Sequence, residues 1–161
     1  MVEEIIAFNK QFVESKGYEK YITNKYPDKK LAILSCMDTR LTELLPAALG
    51  LRNGDAKIIK NAGAVISHPF GSVIRSLLVA IYELGVEDIM VIAHSDCGAH
   101  HMDSNEILER MKTRGIREDL IEMKSVSETV DSIIHHPLIP SDVHVHGFII
   151  DSLTGELTQV V

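Results

Sequence analysis

Strand-like and helix-like segments alternate along this chain, which predicts an α/β fold with a mostly parallel central sheet flanked by helices. Two observations carry that expectation. Residues 31–36 (LAILSC) and 88–94 (DIMVIAH) are short apolar runs between polar neighbours, as strands buried on both faces are. Residues 72–84 (SVIRSLLVAIYEL) between them carry apolar side chains at helical spacing and stop at Gly85. At 161 residues, with no internal repeat or low-complexity segment, the expected organisation is a single domain, 1–161, with its own core.

The remaining elements follow in order. Ile5, Ile6, Phe8, Phe12 and Val13 give residues 3–16 an amphipathic helical pattern ending near Gly17. After a polar stretch containing Pro27 comes the strand 31–36. Leu41 to Leu49 reads as a short helix in which Pro46 is tolerated near the start or makes a kink. Turn signals at Gly50 and Asn53-Gly54 precede a strand in 56–63 (AKIIKNAG) that runs into a glycine turn. Beyond the strand 88–94, residues 104–112 and 116–134 have the charged and apolar alternation of surface helices, the second ended by His135-His136-Pro137. VHVHGFII (143–150) reads as a fourth strand, Ser152 to Gly155 as a turn, and LTQVV (157–161) as a fifth strand at the sheet edge.

Composition narrows the partners. A formal net charge of −7 gives no basic face for nucleic acid and no reason to expect binding to anionic membrane. Acidic residues at the N-terminus and the lack of a long apolar run argue against a signal peptide or a spanning helix, so the expected location is cytoplasmic. In a reducing compartment, two thiols are better read as ligands or catalysts than as a disulfide.

Both cysteines of the chain sit in short motifs, Cys36-Met37-Asp38-Thr39-Arg40 and His94-Ser95-Asp96-Cys97-Gly98. Each motif begins at the carboxyl end of an expected strand, where open α/β sheets collect their functional groups. Cys36, Asp38 and Arg40 at i, i+2 and i+4 share one face of an extended segment. His94 and Cys97 bracket a tight turn that Gly98 lets bend. If the two strands are neighbours, two thiolates, an imidazole, a carboxylate and a guanidinium meet. Two thiolates and an imidazole suit zinc and leave a fourth position open for water. Asp38 can fill that position as a fourth ligand, or swing to Arg40, whose planar fork takes a carboxylate in two-point fashion. Either half alone would read as a small buried cysteine or a surface ion pair. Together they read as a metal site, either catalytic or a structural Cys₂HisAsp zinc.

With these residues in view, the chain resembles the β-class carbonic anhydrases, specifically their compact, archaeal-like subgroup. The family pattern C-x-D-x-R followed by H-x-x-C-G is met by C-M-D-T-R and H-S-D-C-G. Lys60-Asn61-Ala62-Gly63 matches the family's Asn- and Gly-containing turn, and Val73-Ile74-Arg75-Ser76-Leu77 resembles its following helix. The likeness is close over about residues 30 to 100 and looser at the C-terminal strand. It implies Cys36, His94 and Cys97 as zinc ligands, with Asp38 a switchable fourth ligand paired to Arg40. It implies a parallel sheet with an added antiparallel edge strand, in a homodimer or higher even oligomer whose N-terminal helix packs on the partner, although the helix 3–16 could equally cover its own sheet. The implied reaction is reversible hydration of carbon dioxide to bicarbonate by hydroxide generated at the zinc, gated by Asp38 and Arg40.

Gly63, Val65, Ile66, Phe70 and Gly98 are candidate substrate-pocket residues from their place beside the motifs. His68, His100 and His101 titrate in the range useful for proton release, although each alone reads as an exposed loop histidine. His144 and His146 share one strand face, away from the motifs. The chain departs from the family pattern at Ser67–Gly71, which looks long, at Ala99-His100-His101, and in the pocket glutamine of plant-like members, for which no counterpart is found. The competing readings are hydrolysis of carbon disulfide or carbonyl sulfide at the same site, and a catalytically silent zinc-binding regulatory protein. A thiol redox or phosphatase domain fits poorly, since there is no C-x-x-C and no glycine-rich phosphate loop.

Overall fold

The computed structural model describes residues 1–99 and 126–161. Its order is α1 (Val2–Glu14), β1 (Leu31–Cys36), α2 (Leu41–Ala48), β2 (Ala56–Asn61), α3 (Ser72–Tyr82), β3 (Asp88–His94), α4 (Val126–Ile134), β4 (His144–Ile150) and β5 (Leu157–Gln159). The five strands form one sheet in the order β2-β1-β3-β4-β5. β1 to β4 pair in parallel, and β5 runs antiparallel to β4. This is the α/β architecture with an antiparallel edge strand that the sequence predicts. The chain leaves β1 to build β2 on one side, then returns to build β3 on the other. The point where the strand order reverses therefore lies between the carboxyl ends of β1 and β3, where such sheets form crevices.

The apolar runs of β1 and β3 are continuous because both faces of the sheet are covered. On one face, Ile74, Leu77 and Ala80 of α3 and Val126, Val130 and Ile133 of α4 pack on Ala32, Leu34, Ile89, Val91 and Ala93. On the other, Leu41 and Leu45 of α2 pack with Ile33, Ile92 and Ile150, in a cluster that also contains Cys36 and Cys97. In β4, Gly147 makes room for α4: a Cβ there would lie 3.1 Å from Val130 Cγ2 and 3.2 Å from Val126 Cγ1.

Element ends differ in detail from expectation. The second strand stops at Asn61, because Gly63 and Ala64 turn into the left-handed region at φ 80° and 58°. α3 stops at Tyr82, and Gly85 (φ 71°) completes the turn that brings the Val86 amide to the Ala80 carbonyl. The fourth strand begins at His144 because Val143 donates into a turn, to Pro140. Pro46 lies inside α2. The expected helix 104–112, residues 116–125 of the next one, and His100 and His101 lie outside the described residues.

α1 buries none of its residues, and Ile5, Ile6, Phe8 and Val13 are exposed, so it does not cover its own sheet among the described residues. Among those residues, no helix is long and apolar enough to cross a membrane.

Candidate metal centre and active site

Cys36 closes β1 and His94 closes β3, so pairing of these strands brings the two motifs together at the sheet's carboxyl edge. Past His94 the chain turns sharply, with Asp96 at φ 51°, and this swings Cys97 back toward Cys36. The two sulfurs are 3.8 Å apart, buried and not bonded as a disulfide. One ligand atom from each of Cys36, His94 and Cys97 lies within 4.8 Å of the others. Three soft or borderline donors meeting in a buried place form a group able to hold a metal ion.

The imidazole is aimed by its neighbours. His94 Nδ1 is 2.8 Å from the Ser95 carbonyl, an acceptor only, so Nδ1 carries the proton and donates it there. Nε2 is left with its lone pair, buried and without a hydrogen-bond partner among the described residues. A metal-ligating histidine commonly uses its second ring nitrogen in this way. The Ser95 backbone is held in turn: its amide donates to the Ile150 carbonyl (3.0 Å), and its Oγ accepts from the Ser152 amide (3.0 Å). β4 and the turn after it thus brace the histidine.

Asp38 is turned to Arg40. Its Oδ1 accepts from the Arg40 amide and Nε, and its Oδ2 from Nη2, each at 2.9 Å. Oδ2 is also 3.7 Å from His94 Nε2, too long for a hydrogen bond but placed at the mouth of the Cys–His–Cys group. The Arg40 side chain, and then its amide, hold the Asp38 carboxyl well below the usual carboxylate range. Arg40 is gripped from its other side by Asp96, whose Oδ2 accepts from Nη1 (3.1 Å) and whose carbonyl accepts from Nη2 (2.9 Å). Sequence reasoning passes over Asp96 because a polar residue inside H-x-x-C looks like loop filler. Only its left-handed backbone reveals that its carbonyl is turned toward the guanidinium.

The pocket candidates separate. The Gly63 amide donates to Cys36 Sγ at 3.4 Å, and Gly98 is exposed beside Cys97. Val65 is half-buried, with its amide and carbonyl both bonded to the Asn61 side chain. Ile66 is packed in the core cluster with Ile74 and Leu77. Phe70 is 71% exposed and sets its ring edge to face with His136, centroids 5.2 Å apart. Neither Ile66 nor Phe70 joins the Cys–His–Cys group. His144 and His146 lie at the opposite end of β4, beside Asp88.

The sequence profile of the family described as carbonic anhydrase matches residues 31–113, which contain both motifs. The Bacillus subtilis (strain 168) protein YtiB is 51% identical, over 100% of this chain and 96% of its own. The crystal structure of β-carbonic anhydrase isoform I from Trichomonas vaginalis superposes with a TM-score of 0.89 at 32% identity, covering 100% of this chain and 97% of that one. The chain belongs to the β-class carbonic anhydrases. A carbon disulfide hydrolase of Acidithiobacillus thiooxidans is also similar, 30% identical over 81% of this chain and 76% of its own. Within the carbonic anhydrase family the chain is an enzyme, and its Cys–His–Cys group is the candidate seat of the chemistry.

Proposed function

We propose that the chain catalyses the reversible hydration of carbon dioxide to bicarbonate, with zinc held by Cys36, His94 and Cys97. The observation that carries this reading is the buried His94 Nε2, without a hydrogen-bond partner among the described residues and facing two thiols, with Asp38 held just outside them by Arg40. The fit to zinc is close. Sulfurs bound to zinc at about 2.3 Å in a tetrahedron stand about 3.8 Å apart, and Cys36 and Cys97 are 3.8 Å apart here. When bound, zinc supplies the Lewis acidity that brings the pKa of water to about 7.

The protein's own residues do the rest. Asp38 is the ionised acceptor at the mouth of the group. Its Oδ2 would accept a hydrogen bond from the attacking oxygen and so point that oxygen's lone pair at the carbon of the substrate. Arg40 prevents Asp38 from entering the group and becoming a fourth ligand, and Asp96 keeps Arg40 in place. The Ser95 carbonyl fixes the His94 tautomer, so that the ring offers Nε2 rather than an N–H. Stopped-flow hydration of carbon dioxide by the zinc-loaded protein tests the reading. Measurable turnover that disappears in His94→Ala is expected. A zinc-loaded wild-type protein with no turnover would leave the regulatory reading in its place.

The likeness to a carbon disulfide hydrolase keeps a second substrate class in play. Carbon dioxide, carbonyl sulfide and carbon disulfide assayed side by side on one preparation rank the three.

We also propose a homodimer that uses α1. Its exposed apolar face needs a cover, and an open groove of about 470 Å³ between β2 and α3 includes Ile58, Ile59 and Val79, with Lys57 and Arg75 also lining it. Glu3 and Glu4 in the first turn of α1 complement those cations. Two copies exchanging helices would satisfy both surfaces at once, as a two-fold interface requires.

A further inference from the structure

We propose that Asn61 is a positioning residue for the Cys36 sulfur, acting through the Gly63 amide. The inference rests on the proposed metal site and adds to it a residue outside the ligand set. Asn61 is the last residue of β2 and the register partner of Cys36. Its carbonyl accepts from the Met37 amide at 2.8 Å, which carries the β1–β2 ladder one step past the cysteine. There the chain must leave the sheet at once. It does so through two consecutive left-handed residues, Gly63 at φ 80° and Ala64 at φ 58°. The second has a side chain and is buried, a conformation that L-residues adopt only when something holds them.

Asn61 is what holds them. Its Oδ1 accepts from the Val65 amide at 3.1 Å, and its Nδ2 donates to the Val65 carbonyl at 2.6 Å. One side chain thus grips both backbone groups of the residue that ends the turn and bridges residues 62–64 from end to end. The result of this closure is the orientation of the Gly63 N–H, which meets Cys36 Sγ at 3.4 Å in a buried setting. The closed turn also lies against the chain just past Cys97: a Cβ on Gly63 would be 3.4 Å from Ala99 Cβ. The Asn61 turn therefore touches one cysteine directly and the stretch after the other.

The chemistry at position 61 is narrow. Aspartate keeps the acceptor but has no donor for the Val65 carbonyl, alanine has neither, and glutamine is a methylene too long. An N–H donated to a ligating thiolate stabilises the anion and fixes which lone pairs remain for the metal. Outer-shell partners of this kind change metal affinity by about 10–100-fold when removed.

Two measurements test this. In the wild-type protein loaded with the NMR-active cadmium isotope, couplings from the β-protons of Cys36 and Cys97 to the metal report the ligands. A coupling from the Gly63 amide proton to the same metal reports the N–H···S bond. Ligand couplings without the Gly63 coupling would overturn the inference while leaving the metal site intact; loss of all of them would overturn the metal site itself. In Asn61→Ala, zinc affinity by chelator competition should fall about 10–100-fold, and the thiolate-to-cobalt charge-transfer band of the cobalt form should shift. Asn61→Asp should fall between Asn61→Ala and wild type. A folded Asn61→Ala with wild-type affinity and an unchanged cobalt band would reduce Asn61 to a turn former and refute its role. If Asn61→Ala does not fold, Asn61→Asp, which keeps the acceptor and loses the donor to the Val65 carbonyl, carries the same two readouts. Wild-type affinity with an unchanged band there refutes the role.

Discussion

Replacing Asp38 by asparagine removes charge while keeping shape, and the structure indicates what is lost. Asp38 Oδ1 takes two of the three hydrogen bonds from Arg40, to its amide and Nε, and an asparagine carbonyl oxygen keeps both. The third runs from Nη2 to Oδ2 at 2.9 Å, and there the asparagine amide would place an N–H against an N–H. Arg40 has a fallback in Asp96, which already holds Nη1 and Nη2. The guanidinium should therefore stay in place while the acceptor beside His94 Nε2 becomes a donor. Cys36, His94 and Cys97 are untouched, so metal content should match wild type. Loss of one preorganised hydrogen bond at a reacting group typically costs about 10²–10³-fold, and a fall in kcat of that order is expected for Asp38→Asn. Stopped-flow hydration, with zinc measured on the same samples, gives kcat per bound metal. An Asp38→Asn protein with full zinc and kcat within about twofold of wild type would refute the role given to Asp38 Oδ2.

Three further expectations concern the scaffold. Gly147→Ala places a methyl 3.1 to 3.3 Å from Val130, Val126 and Val161, and overpacking of this kind costs about 1–3 kcal/mol; urea denaturation should show the loss at an unchanged m-value. Asp151 has its pKa lowered by the Thr154 and Leu153 amides and the Thr154 hydroxyl, so its contribution to stability is complete above its ordinary value of 3.8 and is lost as pH falls below it. The Tm gap between wild type and Asp151→Asn should accordingly be constant above about pH 5 and close in more acidic buffer. Phe8→Glu puts a charge on the exposed apolar face of α1, and sedimentation should show a dimer converted to monomer with an unchanged far-UV spectrum; an unchanged assembly would remove α1 from the interface.

The legible parts of this fold are those where one physical pattern acts alone. β1 and β3 stand out because strands covered on both faces are uninterrupted apolar runs, and their last residues, Cys36 and His94, announce the site. α3 shows its buried stripe in Ile74, Leu77 and Ala80. What escapes sequence reading depends on backbone direction or on groups far away in the chain. Asp96 and Ala64 are ordinary letters until their left-handed φ is seen. Asn61 reads as part of a turn, yet its two bonds to Val65 are what aim the Gly63 amide at a sulfur on another strand. Ile66 and Phe70 are named as pocket candidates only because they follow that turn, and sequence does not show that one packs in the core under α3 while the other meets His136 from beyond α4. The amphipathic pattern of α1 is clear in sequence. Its cover is not, because periodicity identifies a face and says nothing about whose surface meets it.

The pairing of β1 with β3 has a consequence for quality control during folding. The two halves of the ligand set lie on different strands and meet only through the ladder that aligns Leu31 with Asp88 and Ser35 with Ile92. A slip of one residue would displace one strand by about 3.3 Å and turn its side chains to the opposite face. The 3.8 Å approach of the two sulfurs would not survive that slip. With the metal site proposed above, only correctly registered chains would offer the complete ligand set, and a bound metal would in turn hold that register. The ligand set would then report on strand register as well as serve the proposed reaction.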